Sequence, residues 1–280
     1  MNRNTRRTIA GLLLVAPAVL LLAATFLAPL ARLLALSLSA KGGTWAAYAA
    51  LFEDDVYRTV LRRTVTLAAI VTALTLAIGF PIAVALTRLS RSWRAVLTAC
   101  VLAPLWISVL VRTFAWMLLL ERNGPINRAL LDLGLIAHPL PLLFNTAGVV
   151  IGMTHVLIPY AVLPIHAALL RIDPALLLAS DGLGASRATT FARVLLPLAA
   201  RGVATAGAFV FLLSLGFFVT PALLGGPGDT TLPILIDGFV NERLDWPLAA
   251  AASTVLLAMA GMTVAAVGRF LPAGTLATAR

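Results

Sequence analysis

An all-α, polytopic membrane protein with about six transmembrane helices is the fold class predicted here, on three observations. Of 280 residues, 61% are hydrophobic and only 11% charged, a balance foreign to soluble domains. Uncharged runs occupy Thr8–Ala31, Thr64–Thr87, Ala95–Val111 (continuing past Arg112 to Leu120), Leu133–Leu170, Gly202–Gly228 and Leu248–Gly268. Nearly all reach the ~20 residues needed to cross hydrocarbon. The runs are also unbroken rather than alternating, which selects helices over a closed barrel, the only other solution in lipid.

The net charge of +10 follows topology and is no signal for nucleic acid. With the N-terminus in the cytoplasm, the inner segments hold Arg3, Arg6, Arg7, Arg88, Arg91, Arg94, Arg171, Arg187, Arg193, Arg201, Arg269 and Arg280. Against these twelve stand only Asp173 and Asp181, so the inner side nets +10 and the outer side zero. That is the positive-inside asymmetry of a membrane protein, and it puts the loop around Gly184 in the cytoplasm. Cys100 is the single cysteine and lies within a span, so neither a disulfide framework nor a cysteine-based metal site is available. The first apolar run resembles a signal peptide after Arg6-Arg7. Its length marks it as an uncleaved helix.

Taken in order, the spans fall at about 8–31, 64–87, 95–120, 144–170, 200–223 and 248–268 of a single membrane domain. Lys41–Arg63, with its Glu53-Asp54-Asp55 cluster, reads as an interfacial helix. Gly79-Phe80-Pro81 predicts a kink in the second span. The short turn Arg88–Arg94 makes the second and third spans an antiparallel pair. A straight helix from Ala95 puts Arg112 ~26 Å along its axis, near the outer boundary with Trp116 as a fellow anchor. The alternative is that its charge faces the bundle interior and a solute path. His155 and His166 in the fourth span read as hydrogen-bonded structure, and at ~16 Å apart they cannot share a metal. Pro159 and Pro164 predict a bend there. In the fifth span Thr220-Pro221 is the expected helix break, with Gly225-Gly226-Pro227 turning the chain. A helix broken at membrane depth is tolerated only against protein or a water-filled cavity, so Thr220, Pro221 and Arg112 are the candidate path residues.

The stretch Arg171–Pro197 is the main polar interruption. Asp173 and Pro174 start a short helix, as a side-chain cap followed by a residue whose missing N–H costs nothing there. Gly182 and Gly184 end it, Ser186 caps a second helix, and Pro197 breaks that helix or opens the next span. A short helix held between two spans is a handle for something in the adjacent aqueous compartment.

This stretch resembles the "EAA" loop of ABC-importer membrane subunits, the binding-protein-dependent permeases. Leu178-Ala179-Ser180 stands at the E-A-A positions, Gly184 at the glycine, and Leu195-Leu196-Pro197 closes the pattern. VRTFAW, LLLERNGPINRALLDLGL and SLGFFVTPALLGGPGDTTLPILI are similar to permeases of the polyamine (spermidine/putrescine) type. The resemblance implies a type I importer permease fold and a translocation path for a small, polyamine-like solute. It implies a second permease subunit, homologous or identical, two cytoplasmic ATPases that hold the ATP and magnesium, and an extracytoplasmic solute-binding protein. Asp173, Pro174, Leu178, Ala179, Ser180, Gly184, Ala185 and Pro197 would then form the ATPase-coupling loop. Leu178 replaces the family's acid, so docking there would be apolar.

Enzymatic chemistry has little support. The lone lysine, Lys41, sits outside any phosphate-binding loop motif, and neither H-E-x-x-H nor G-x-S-x-G occurs. No catalytic residue, cofactor or metal is assigned. The rival reading is a stand-alone secondary transporter or channel. Such proteins keep ionisable groups within their spans, and no Asp or Glu lies clearly inside one here.

Overall fold

The computed structural model describes residues 14–270. The start of the first span, Arg3, Arg6, Arg7 and Arg280 lie outside that range. The described residues are helical with short connections, and form two compact units, 14–58 with 236–255 and 59–235 with 256–270. Five of the helices are each long and apolar enough to cross a membrane, and a bent pair supplies a sixth candidate span.

In the first unit, α1 (Leu14–Ser37) buries almost none of its apolar side chains, as a helix facing hydrocarbon does. Ser37 closes its last turn on Leu34 O and meets Tyr48 Oη of α2 (Ala46–Glu53) at 2.7 Å. Tyr57 stacks edge-on against Phe239 at 5.4 Å and accepts a hydrogen bond from Arg243 Nη1 at 2.8 Å. Leu51 and Phe239 are fully buried there.

α3 (Asp55–Arg88) runs for 34 residues, ~50 Å at the usual rise, and so is much longer than the predicted span. The expected interfacial helix is therefore two pieces. α2 ends at Asp54, whose extended backbone and side-chain acceptance of Val56 N start α3. Pro81 lies inside α3 without ending it.

The second unit is built around α7 (Thr146–Leu169), the most enclosed span, apolar on every face as a central helix must be. Asn145 caps it by accepting from Gly148 N at 3.1 Å. Pro159 and Pro164 both sit within the continuous helix. Small residues bring its neighbours close, the usual device where lipid removes the hydrophobic drive for helix pairing. A Cβ on Gly202 of α9 (Arg187–Leu215) would fall 2.2 Å from Ala168 Cβ. A Cβ on Gly79 of α3 would fall 3.1 Å from Ala161 Cβ.

The third span is not the straight rod expected. α4 (Arg91–Trp106) and α5 (Val109–Leu120) are separated by the extended residues Ile107 and Ser108, and the chain bends by 105° there. Ile107 and Ser108 both have ψ near 135°, so neither continues the helical ladder. α6 (Pro125–Asp132) follows the Glu121–Gly124 turn and is anchored by Asn127. The Asn127 side chain accepts from Leu140 N and donates to Glu121 O and Leu140 O.

The fifth span also differs. The second helix of the polar loop and the span itself are one 29-residue helix, α9, and Pro197 does not divide them. A wide π turn at Phe191–Leu195 immediately precedes Pro197, and Leu196 N reaches back five residues to Phe191 O. The wide turn absorbs the donor that proline lacks. α9 ends at Gly216, three residues before α10 (Val219–Leu224). The break therefore falls at Gly216–Phe218, not at Thr220-Pro221. Pro221 occupies the first turn of α10, where its missing N–H leaves no extra gap. α11 (Leu232–Asn241) and α12 (Trp246–Phe270) complete the chain.

Gly202→Ala is expected to destabilise the second unit by ~1–3 kcal/mol through overpacking against Ala168. Gly261→Ala, with nothing within 4 Å of the new Cβ, is expected to leave stability unchanged or slightly raised. Thermal stability of the two detergent-purified variants, followed by size-exclusion chromatography, compares them; equal melting would remove close α7–α9 approach as a constraint.

Candidate functional site

The predicted polar loop folds as a bracket of two capped helix ends joined by a glycine turn. α8 (Pro174–Gly182) begins at Asp173, whose Oδ1 accepts from Ala175 N at 2.9 Å. It ends by a glycine turn: Ala185 N donates to Ser180 O at 3.2 Å, and Gly184 N to Asp181 O at 3.0 Å. Gly184 has φ +78 and open space where a Cβ would sit, so the backbone angle alone demands glycine. Gly182 remains inside the helix. Ser186 caps α9 by accepting from Thr189 N at 3.2 Å. Ser180 Oγ meets Thr190 Oγ1 at 2.9 Å, tying α8 to the first turn of α9. Ser180, a departure from the alanine of the E-A-A pattern, thus makes a specific hydroxyl contact.

The two faces of α8 differ. Ile172 and Leu177 pack against the core of the second unit. Leu176, Leu178 and Leu183 point outward, with Leu178 70% and Leu183 89% exposed. These leucines therefore stand apolar and uncovered on the polar loop. Leu183 escaped sequence reasoning because it lies one residue beyond the helix, and only the turn geometry turns it outward. A cavity of about 510 Å³ opens behind α8, bordered by Arg88, Leu177, Asp181, Arg187 and Phe191. Phe191 stacks edge-on against Phe80 of α3 at 5.8 Å. Ala179 and Ala185 lie within the bracket, and Pro197 lies beyond it in α9.

The candidate path residues are brought together from distant positions in the chain. Thr113 Oγ1 of α5 and Thr220 Oγ1 of α10 are buried 3.2 Å apart, so the two helices that follow the two breaks are joined side to side. α10 packs into α7 at Gly152, where a Cβ would strike Leu224 at 2.6 Å and Thr220 at 2.9 Å. The Gly225-Gly226 turn is equally close: a Cβ on Gly226 would lie 2.3 Å from Phe144 O. Asp229 secures the turn by accepting from Gly226 N at 3.0 Å and from Thr146 Oγ1 at the start of α7. Asp229 and Gly152 were missed in the sequence, since each acts only through the α7–α10 packing.

Arg112 lies in the first turn of α5, beside Thr113 and next to the break, rather than at the end of a straight span. Its Nε and Nη1 are buried and have no hydrogen-bond partner among the described residues. Trp116, one turn on, donates from Nε1 to His155 Nδ1 at 3.2 Å. His166 Nδ1 lies 3.3 Å from Ala83 O of α3. Both histidines thus hold neighbouring helices.

An all-helical fold of five or six spans, two of them broken at one place and one extended by a capped polar bracket, is that of the membrane subunit of an ABC importer. Residues 75–271 match the family described as binding-protein-dependent transport system inner membrane component. The chain belongs to that family, and it is a transport component rather than an enzyme. It is 33% identical over 210 residues to the spermidine/putrescine transport system permease protein PotB of Escherichia coli (strain K12), covering 75% of this chain and 76% of that one. The inner membrane ABC transporter permease protein YdcU of the same organism is 38% identical over 193 residues, 64% of this chain and 61% of its own. A solved bacterial alginate ABC transporter, in complex with alginate pentasaccharide-bound periplasmic protein, superposes with a TM-score of 0.78 at 18% identity, over 96% of each chain.

Gly184→Val forces a β-branched residue into the left-handed region at a cost of ~1–2 kcal/mol. The variant is expected to insert at normal levels, with α8 unlatched and transport by the assembled importer lost. Uptake equal to wild type at equal membrane abundance would show that the bracket's geometry is dispensable.

Proposed function

We propose that this chain forms one half of a solute path and is driven through α8 by a cytoplasmic ATPase. A second permease subunit, homologous or identical, supplies the other half. Two ATPases carry the ATP and magnesium, and a solute-binding protein delivers the solute from outside. The N-terminus and the 171–187 bracket face the cytoplasm, in keeping with the arginine distribution. The observation that carries this reading is the outward leucine face of α8, latched to the start of a helix whose far end abuts the second break. At 29 residues, α9 spans ~43 Å, so it runs unbroken from the docking surface to the Gly216–Phe218 break that precedes Thr220. Displacement of α8 on ATP-driven closure of the ATPases would shift α9 and switch the path near Arg112, Thr220 and Pro221 between outward- and inward-open states.

Leu178 docks by apolar burial where related loops use an acid, Leu183 docks beside it, and Asp173, Pro174, Ala179, Ser180, Gly184 and Ala185 hold the shape of that face. The solute is small and polyamine-like, that is, flexible and amine-bearing; the support is the likeness to permeases named for spermidine and putrescine transport.

Purification of the tagged chain from its native membrane in mild detergent tests the assembly. A stoichiometric ATPase and a second six-span permease are expected to co-purify. The Leu178→Asp, Leu183→Asp double variant is expected to keep the second permease and lose the ATPase, because two charges would be buried unpaired at the contact. A chain that emerges alone, under conditions that preserve a known ABC complex, would favour a stand-alone carrier instead.

A further inference from the structure

Just past α10 the chain builds a small polar cavity of about 140 Å³, at the end of α7 opposite the bracket. Leu67 and Ile70 of α3 and Val149 of α7 supply its apolar wall, while Thr66, Thr146, Asp229 and Thr231 supply oxygens. Thr231 is only 3% exposed, and its hydroxyl has no hydrogen-bond partner among the described residues. A buried hydroxyl left unpaired is costly, so this one calls for a partner. Thr64, close by in the same wall, is satisfied: its Oγ1 donates to Val60 O and accepts from Leu232 N, both at 2.8 Å. Thr146 gives its proton to Asp229, so its oxygen has lone pairs left to offer. Asp229 accepts from Thr146 and from Gly226 N, two of the roughly four bonds a carboxylate can take.

Arg63 stands at the rim, both its terminal nitrogens 3.9 Å from where a Cβ on Gly228 would sit. It makes no ion pair with Asp229 among the described residues. The cavity therefore has acceptors in excess around one carboxylate. Its complement is a primary ammonium, which brings one positive charge, three donors and no acceptor. The apolar wall suits the methylenes next to such a group. No acid occurs from 182 to 228, through α9 and α10, and Asp229 is the first. Its bond to Gly226 N also holds the turn that seats α10, the helix that carries Thr220.

We propose that this cavity takes one primary ammonium of the solute, held by Asp229 with Thr146 and Thr231, as the solute enters beside α10. The inference rests on the importer reading and gives the amine-bearing end of that solute class a place on this chain.

The test uses the permease–ATPase complex in phosphatidylcholine nanodiscs. Gly228→Cys, in a Cys100→Ala background, reports from the rim, where a new side chain meets no close neighbour. Its modification by N-ethylmaleimide is followed by peptide mass. Putrescine and butylamine are expected to slow modification; butane-1,4-diol, and sodium chloride at equal ionic strength, are expected to leave it unchanged. Asp229→Asn, which keeps an acceptor for Gly226 N, is expected to raise the half-protecting putrescine concentration about tenfold. Thr231→Val is expected to raise it about threefold without lowering the melting temperature, because the lost hydroxyl had no partner. Absence of protection by both amines, equal protection by the diol or by salt, or protection unaltered in both variants overturns the proposal. So does a Thr231→Val protein that melts lower and is protected as before, which would make that hydroxyl structural. Phosphatidylethanolamine offers the same ammonium chemistry from the bilayer. Protection on adding that lipid alone, with no further effect of putrescine, would assign the site to a headgroup and overturn the solute assignment. In ATP-driven uptake, Asp229→Asn is expected to raise KM about tenfold while hydrolysis stimulated by the binding protein is kept; an unchanged KM counts against the site. A complex with stimulated hydrolysis and no protection by amines sinks the ammonium site alone. A chain without a co-purifying ATPase sinks the importer reading.

Discussion

The peptide group's need for a hydrogen-bond partner where no water is available governs this molecule. In hydrocarbon, each unpaired N–H or C=O costs several kcal/mol, so the chain must cross as helix and may leave the helix only where protein or a wet cavity receives it. That constraint turns Ile107–Ser108 and Gly216–Phe218 from irregularities into the most informative residues of the fold. Each break is followed by a helix, α5 or α10, and the two helices are joined by the buried Thr113–Thr220 contact. Two costly departures from helix thus lie beside one buried contact between the helices that follow them.

Close approach around α7 follows from the same setting. With lipid as apolar as leucine, helices gain little by merely hiding from solvent, so they gain by van der Waals fit. Glycines at 79, 152 and 202 let α3, α10 and α9 lie against α7 at distances a Cβ would forbid or crowd. The arrangement also explains why the broken span is tolerated. α10 is short, yet it is held by Gly152, by the Gly225-Gly226 turn and by Asp229 across to Thr146.

Most of the helical architecture was legible in the sequence, because long uncharged runs have one structural outcome in lipid. The bracket was legible too: Asp173, Gly184 and Ser186 act through local backbone geometry, which neighbouring residues specify. The positions of the two breaks were not. Ile107 and Ser108 carry no breaker signal, and Pro221, which does, sits harmlessly in a first helical turn. Pro197 was misleading for the opposite reason: a π turn accommodates it and keeps α9 whole. Residues that act through tertiary packing, such as Gly152, Asn127 and Asp229, gave no sequence signal because their partners lie far along the chain or in a loop without periodicity.

In the proposed mechanism, the continuity of α9 ties the two candidate sites into one device. A helix resists bending far more than a loop does, so a displacement imposed at Ser186 reaches Leu215 largely undiminished. The wide turn at Phe191–Leu195 places one extra residue in the coil, which rotates everything beyond it by about 100° relative to a regular helix. Phe191 can therefore face Phe80 on α3 while Ala199, Ala206 and Val210 face the buried core. The bracket end is gripped by Ser180–Thr190 and by the stacked phenyl rings. The far end is released at Gly216, where no helical hydrogen bond carries strain onward into α10. In the proposed mechanism, a stiff rod latched at its driven end carries a displacement as far as Gly216, beside α10 and the two breaks. A loop at Pro197 would have dissipated that motion before it reached the breaks.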